Sequence, residues 1–296
     1  MNEACTVVMS APYSIVQISD THFGTERKQV MRALEARINA IEPQLLIISG
    51  DITQRARPYQ FQRAHEFLRR LRYGALLCVP GNHDIMPLYY LPLRLMTPNL
   101  RYHRHMKHWE QRHFEDQGVR IIGLDSCNPW HYKNGRLSQN QLSTVQKQLR
   151  DTPDDWLKIL VAHHPFDATR PHDEENIMPQ AETALEHLGK AGVDLVMGGH
   201  IHVQFCRSLH HRYPNLSRTM AVCQAGTAFS SRVRAGLPNS FMELKPGAQK
   251  QDLLIQQWDF VEGECDFEAT ARFQPLQPEA QQSNPYEEEA DTQIIE

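Results

Sequence analysis

The chain has 296 residues, 41% hydrophobic and 22% charged, which suits a soluble globular protein with room for one large domain. Its formal charge of −4 argues against a protein whose main task is gripping nucleic-acid phosphates. No stretch reaches the roughly 18 to 20 apolar residues that span a bilayer, and residues 1–11, which include Glu3, do not read as a signal peptide, so a cytoplasmic protein is expected.

Residues 13–19 (YSIVQIS) read as a first buried strand. Val30, Leu34, Ile38 and Ile41 then fall on one helical stripe. A second strand at 45–49 (LLIIS) precedes a helix marked by Phe61, Ala64, Leu68 and Leu71. Residues 75–79 (ALLCV) and 119–124 (VRIIGL) are further strands. Ser138 and Gln141 have capping-box spacing, and Leu142, Val145 and Leu149 form the apolar face of the helix they open. A strand at 157–162, a helix lined by Ala181, Ala184, Leu185 and Leu188, and a strand at 193–197 complete a βαβα series. That alternation predicts an α/β protein with a largely parallel sheet. After His202 the pattern changes to strands and turns, at 219–224, 240–244 and 253–261, which predicts an antiparallel portion.

One domain is expected over 1–265, followed by a disordered tail over 266–296 that is rich in Glu, Gln and Pro. The segment 85–117 fits neither pattern. It carries Arg94, Arg101, Arg104 and histidines at 103, 105, 108 and 113; a solvated helix rich in His and Arg is the plainer reading, a second metal site is another, and a lid or insert whose cations meet an anionic substrate is the third. The six cysteines include no CxxC pair, and Cys78, Cys127, Cys206 and Cys223 lie in or beside apolar runs, so reduced thiols are expected.

Five apolar runs end in chemistry-bearing residues: Asp20-Thr21-His22, Gly50-Asp51, Gly81-Asn82-His83-Asp84, His163-His164-Pro165 and Gly199-His200-Ile201-His202. In open α/β sheets, ligands gather beyond the carboxyl ends of the strands, so these groups are expected in one pocket. Residues i and i+2 of an extended strand share a face, which would aim Asp20 with His22 and His200 with His202 at one ion. Asp51 has two oxygens and can bridge two cations, while Asn82 adds a neutral carbonyl. With His163 the predicted ligands are Asp20, His22, Asp51, Asn82, His163, His200 and His202, an oxygen and nitrogen set suited to divalent transition metals. Only one of the adjacent His163 and His164 can point inward; His163 is favoured, with His164 behind it. Two ions about 3.5–4 Å apart activate a bridging hydroxide and neutralise oxygens on phosphorus. His83 is the candidate acid for the departing alkoxide, with Asp84 holding its imidazole in the useful tautomer. Glycines at 50, 81, 198 and 199 would let backbone approach the metals.

This order of motifs resembles the calcineurin-like metallophosphoesterase superfamily, and within it the bacterial class III cyclic nucleotide phosphodiesterases. The likeness covers about residues 13–260. It implies a four-layer αββα sandwich with mixed sheets, two divalent metal ions (Mn, Fe or Zn), the ligand roles given above and His83 near the leaving group. It implies hydrolysis of phosphodiesters, among them 3′,5′-cyclic nucleotides, by attack of a metal-bridging hydroxide on phosphorus. The expected partner is a small phosphoester, with no membrane and no nucleic acid; a homodimer is compatible. The alternatives are a broad-specificity phosphomonoesterase or phosphodiesterase, a non-catalytic scaffold and a nuclease. Gln54 departs from the acidic or Asn residue common after Gly-Asp, at a position that is not a ligand.

Overall fold

A computed structural model describes residues 13–87, 90–107, 112–131 and 133–277. Its first half alternates as expected: β1 (Ile15–Ile18), α1 (Lys28–Ile41), β2 (Leu45–Ile48), α2 (Pro58–Leu68) and β3 (Ala75–Cys78). These three strands pair in parallel. Their residues are apolar on both sides because both sides are covered. Leu46 and Ile48 pack with Leu34, Ile38 and Phe61 beneath α1 and α2, whereas Leu45 and Ile47 face Ile159, Val161 and Leu195 of a second sheet. Burying one such side chain contributes about 1.5–3 kcal/mol.

The chain continues through α3 (Leu91–Met96), α4 (Leu100–Met106), β4 (His113–Asp116), β5 (Val119–Leu124), α5 (Gln139–Leu149), β6 (Leu157–Ala162), α6 (Ala181–Lys190) and β7 (Leu195–Gly198). Then follow β8 (Phe205–Ser208), β9 (Ala221–Gln224), β10 (Ser240–Lys245), β11 (Leu254–Val261) and β12 (Asp266–Phe273). The two six-stranded sheets have the orders β12-β11-β10-β1-β2-β3 and β4-β5-β6-β7-β9-β8. Leu142 and Val145 of α5, with Leu185 and Leu188 of α6, close the outer face of the second sheet. The layers are therefore helix, sheet, sheet, helix, and both sheets are mixed. The Ser138 cap is made as its spacing required: Ser138 Oγ accepts from the Gln141 backbone N–H.

The strands expected at 240–244 and 253–261 are antiparallel as expected: β10, β11 and β12 extend the first sheet from the free edge of β1. Two expectations change. The strand expected at 219–224 is instead parallel to β7, and pairs antiparallel only with β8. Residues 266–273, expected in the tail, instead form β12, which buries Phe267 and Ala271 while most of its charged residues face solvent; a composition count sees only the charges. Residues 278–296 lie outside the described residues.

The lid reading of 85–117 is also corrected for its described part. Tyr102 and Met106 of α4 are fully buried against the core beneath α2. Arg94 is buried too, donating from Nε to the Pro129 carbonyl at 2.9 Å. Arg101 donates to the Ala56 carbonyl at 3.2 Å. Those two cations tie loops together. Cys78, Cys206 and Cys223 are buried and carry reduced thiols. Among the described residues no helix is long and apolar enough to cross a membrane.

Candidate metal centre

All five motifs sit just beyond the carboxyl ends of strands: Asp20 and His22 after β1, Asp51 after β2, Asn82 after β3, His163 after β6, and His200 and His202 after β7. The two sheets bring these ends together. Asp20 Oδ2 accepts from the His200 backbone N–H at 3.0 Å, and His163 Nδ1 donates to the Ser49 carbonyl at 2.8 Å, both across the interface between sheets.

The strand-pleat argument for the i, i+2 pairs does not hold. Asp20, His22, Asp51, His200 and His202 have φ of 51°, 41°, 49°, 76° and 60°, in the left-handed region. The side chains converge because the backbone turns at each of these positions. A non-glycine residue held so costs on the order of 1–3 kcal/mol and persists where its surroundings enforce it, commonly at functional sites. Two glycines make room. Gly50 has φ of 103° and a Cβ there would overlap the His163 ring, while a Cβ on Gly81 would overlap Asp51.

Asp20 Oδ1 lies 3.1 Å from His202 Nε2 and 3.6 Å from His22 Nε2, and the two imidazole nitrogens are 3.2 Å apart. Asp51 Oδ2 lies 3.8 Å from His22 Nε2 and 3.4 Å from His163 Nε2. His200 Nδ1 is 2.9 Å from Asn82 Oδ1. Two ligands each about 2.0–2.1 Å from one tetrahedral ion stand about 3.3 Å apart, close to these separations. Asp20 Oδ1 and His163 Nε2 are buried and make no hydrogen bond. Leaving such atoms bare is costly, and each faces its own donor group, Asp20 with His22 and His202 and His163 with Asp51 and His200, which fits a cation in each. The outward-facing atoms are tied down: Asp51 Oδ1 accepts from the His83 backbone N–H at 2.8 Å, and His202 Nδ1 donates to the Arg232 carbonyl. Such partners fix ring orientation and leave the inner atoms available. His164 turns aside, its Nδ1 2.8 Å from Ser126 Oγ, so of the adjacent pair it is His163 that faces Asp51.

Burial sets the protonation of the metal-free centre. It holds His22 down at about 4 and His200 at about 3. For His163 burial again opposes charge, but Asp51, Asp20 and the Ser49 carbonyl outweigh it and raise the group to about 9. Burial pushes Asp20 and Asp51 upward, yet the surrounding histidines hold both carboxyls well below the usual range.

His83 also has a ligating atom within 4.8 Å of those of His22 and Asp51. Both its nitrogens are engaged elsewhere: Nδ1 donates to the Gln54 carbonyl at 2.7 Å, and Nε2 accepts from Arg232 Nη1 at 3.0 Å. A guanidinium at Nε2 repels a metal ion, so His83 stands outside the donor set. Asp84 does not hold the His83 imidazole. Its carboxylate accepts from the backbone N–H groups of Ile52, Thr53 and Gly81 at 3.0, 2.7 and 3.0 Å and from Thr53 Oγ1 at 2.9 Å, pinning two loops together. Asp84→Ala orphans three buried donors, at about 1–3 kcal/mol each before relaxation. The expected result is a loss of about 2–3 kcal/mol of stability in urea denaturation. A stable Asp84→Ala protein with the kinetic defect of His83→Ala would restore the tautomer role.

A cavity of about 500 Å³ opens over the centre, with Lys133, Glu175, Asn176, Arg232 and Arg234 on its walls. None of the described residues between 85 and 117 lines it. Sequence reading missed Arg232 and Arg234. Their signal is two arginines at i, i+2 in a Gly- and Pro-containing stretch, with no strand end to mark them.

The sequence profile described as Calcineurin-like phosphoesterase matches residues 13–204. The chain belongs to this family. The expected family therefore holds. A glycerophosphodiester phosphodiesterase from Enterobacter lignolyticus is 29% identical over 51% of this chain and 57% of that protein, so the match spans little more than half of that relative. A 3′,5′-cyclic adenosine monophosphate phosphodiesterase from Escherichia coli is 26% identical over 64% of this chain and 69% of its own length. A purple acid phosphatase from yellow lupin, Lupinus luteus, shares the fold with a TM-score of 0.62 and 13% identity, over 89% of this chain and 53% of that one.

Proposed function

We propose that the protein is a two-metal phosphodiesterase. Asp20, His22 and His202 would hold one ion and Asn82, His163 and His200 the other, with Asp51 available to both. The observation that carries this is the position of Asp51 Oδ2, within 3.8 Å of His22 Nε2 on one side and 3.4 Å of His163 Nε2 on the other. Mn, Fe and Zn all suit these donors. A bound pair of divalent ions supplies Lewis acidity at phosphorus and lowers the pKa of water. The protein's own part is to orient the ligating imidazoles through Ser49 and Arg232, to keep the centre buried, and to set His83 as proton donor on the leaving-group side. Phosphodiesters are the proposed substrates, since the relatives described above are named for a glycerophosphodiester and a cyclic nucleotide. Cyclic nucleotides are the proposed preference, and the cytoplasm the proposed location.

Reconstituted with Mn²⁺, the protein is expected to bind two ions and cleave bis(p-nitrophenyl) phosphate. Values of kcat/KM for 3′,5′-cyclic AMP, a glycerophosphodiester and p-nitrophenyl phosphate then rank the substrates. Two bound ions without turnover would sink the enzymatic reading, and a monoester preference would give the broad-specificity alternative. Metal loading also has a pH signature. In the metal-free protein His163, raised to about 9, keeps a proton at neutral pH. Its attraction to Asp51 contributes stability below the unfolded value of about 6.5 and is lost as pH rises through 9. A ligating imidazole must shed that proton, so apparent Mn²⁺ affinity should climb with pH and level off near 9. Calorimetry in buffers of different ionisation enthalpy reads the released proton; no release at pH 7 contradicts the assignment.

A further inference from the structure

Residues from three separated stretches meet at the edge of the metal cavity. Arg232 Nη1 donates to His83 Nε2 at 3.0 Å and to Gln54 Oε1 at 3.3 Å. Gln54 also accepts the His83 Nδ1 hydrogen through its backbone carbonyl, so one residue steadies both side chains. The arginine is anchored at its root as well, since its carbonyl accepts from His202 Nδ1 and from Thr227 Oγ1.

The charge of Arg232 is not cancelled. Both of its acceptors are neutral, and no carboxylate pairs with it among the described residues. Its neighbours on the cavity wall differ: Arg234 is bound to Asp173 at 2.7 Å, and Lys133 lies 3.7 Å from Glu175. The bonds described occupy Nη1, while Nη2 and Nε have no acceptor among the described residues. A free guanidinium facing a centre built for two cations is repelled by them unless an anion lies between. Guanidinium donors match two oxygens of a phosphoryl group in one plane.

We propose that Arg232 is a substrate-binding residue that grips a nonbridging phosphoryl oxygen with Nε and Nη2, and that Gln54 aims it without neutralising it. This rests on the phosphoesterase reading and extends it. The site takes ligands with an anionic phosphoryl oxygen, inorganic phosphate among them, and holds them by a group that is not a metal ligand. Replacing Gln54 by an acid would give Arg232 an internal partner and withdraw it from the substrate.

The test uses the full chain loaded with Mn²⁺, comparing wild type with Arg232→Ala, Arg232→Lys, Gln54→Glu and the Gln54→Glu/Arg232→Ala double variant. Metals per chain, kcat and KM on bis(p-nitrophenyl) phosphate, and inhibition by inorganic phosphate are measured. Arg232→Ala should keep both ions, lose about 10- to 100-fold in kcat/KM and bind phosphate about 10-fold or more weakly. Arg232→Lys should recover only part, because an ammonium lacks the planar pair of donors. Gln54→Glu should reproduce most of the loss, and the double variant should be no worse than Arg232→Ala. Unchanged kcat/KM and phosphate inhibition in Arg232→Ala, or loss of metal from it, overturns the proposal. If wild type fails to turn over substrate, phosphate binding to the metal-loaded proteins decides the matter separately. A Kd weakened by Arg232→Ala then keeps the anion site while the phosphodiesterase reading falls.

Discussion

Asp51→Asn is expected to abolish metal-dependent hydrolysis almost completely while leaving the protein folded. The substitution keeps the shape of the side chain and removes the charge that faces both halves of the centre. Asp51 Oδ2 is the oxygen placed between His22 and His163, and no other carboxylate approaches His163 Nε2 so closely among the described residues. The group of Asp20, His22 and His202 does not depend on Asp51, so one ion should remain per chain. Loss of the second removes an electrophile worth several kcal/mol in the transition state, and a fall in kcat/KM of about a thousandfold or more follows. Metal analysis beside kinetics on bis(p-nitrophenyl) phosphate measures both. Two tightly bound ions with near-normal turnover would mean that the carboxylate is not shared, and the two-metal reading would fail.

That Asp20, Asp51, His163 and His202 meet is legible in the sequence, because α/β sheets present polar side chains together beyond their strand ends and each of these follows an apolar run. How they converge is not legible. The left-handed φ of Asp20, His22, Asp51, His200 and His202 leaves no mark in an apolar pattern, and the extended geometry assumed for the i, i+2 pairs was the wrong local conformation. Asp84 was misread for a related reason: adjacency to His83 suggested contact, but the loop turns its carboxylate back onto the amides of Ile52 and Thr53. The place of Arg232 at the centre is invisible in the sequence because it meets His83, 149 positions away. Among the strands, β4 and β8 are four residues long and carry Glu, Asp or Arg, too short for a period to stand out.

His83→Ala is expected to separate substrates by their leaving groups. A general acid contributes about 10²- to 10⁴-fold where the departing oxygen needs a proton, and little where it does not. The loss should therefore be large for a cyclic nucleotide or glycerophosphodiester, whose alkoxides are strong bases, and small for bis(p-nitrophenyl) phosphate, whose phenolate leaves unaided. Geometry places His83 well for this: its ring meets His22 edge-on at 4.9 Å, its backbone N–H fixes Asp51, and Gln54 holds Nδ1 so that Nε2 is the remaining exchange point. That same Nε2 accepts from Arg232, which donates but cannot accept. Holding the guanidinium and delivering a proton are thus competing uses of one nitrogen, and kinetics tell them apart. If His83 only positions Arg232, its removal harms every phosphodiester alike and Arg232→Ala copies it on each substrate. If it donates a proton, the two variants diverge, with Arg232→Ala losing similar factors on all substrates and His83→Ala losing most where the leaving group is poorest.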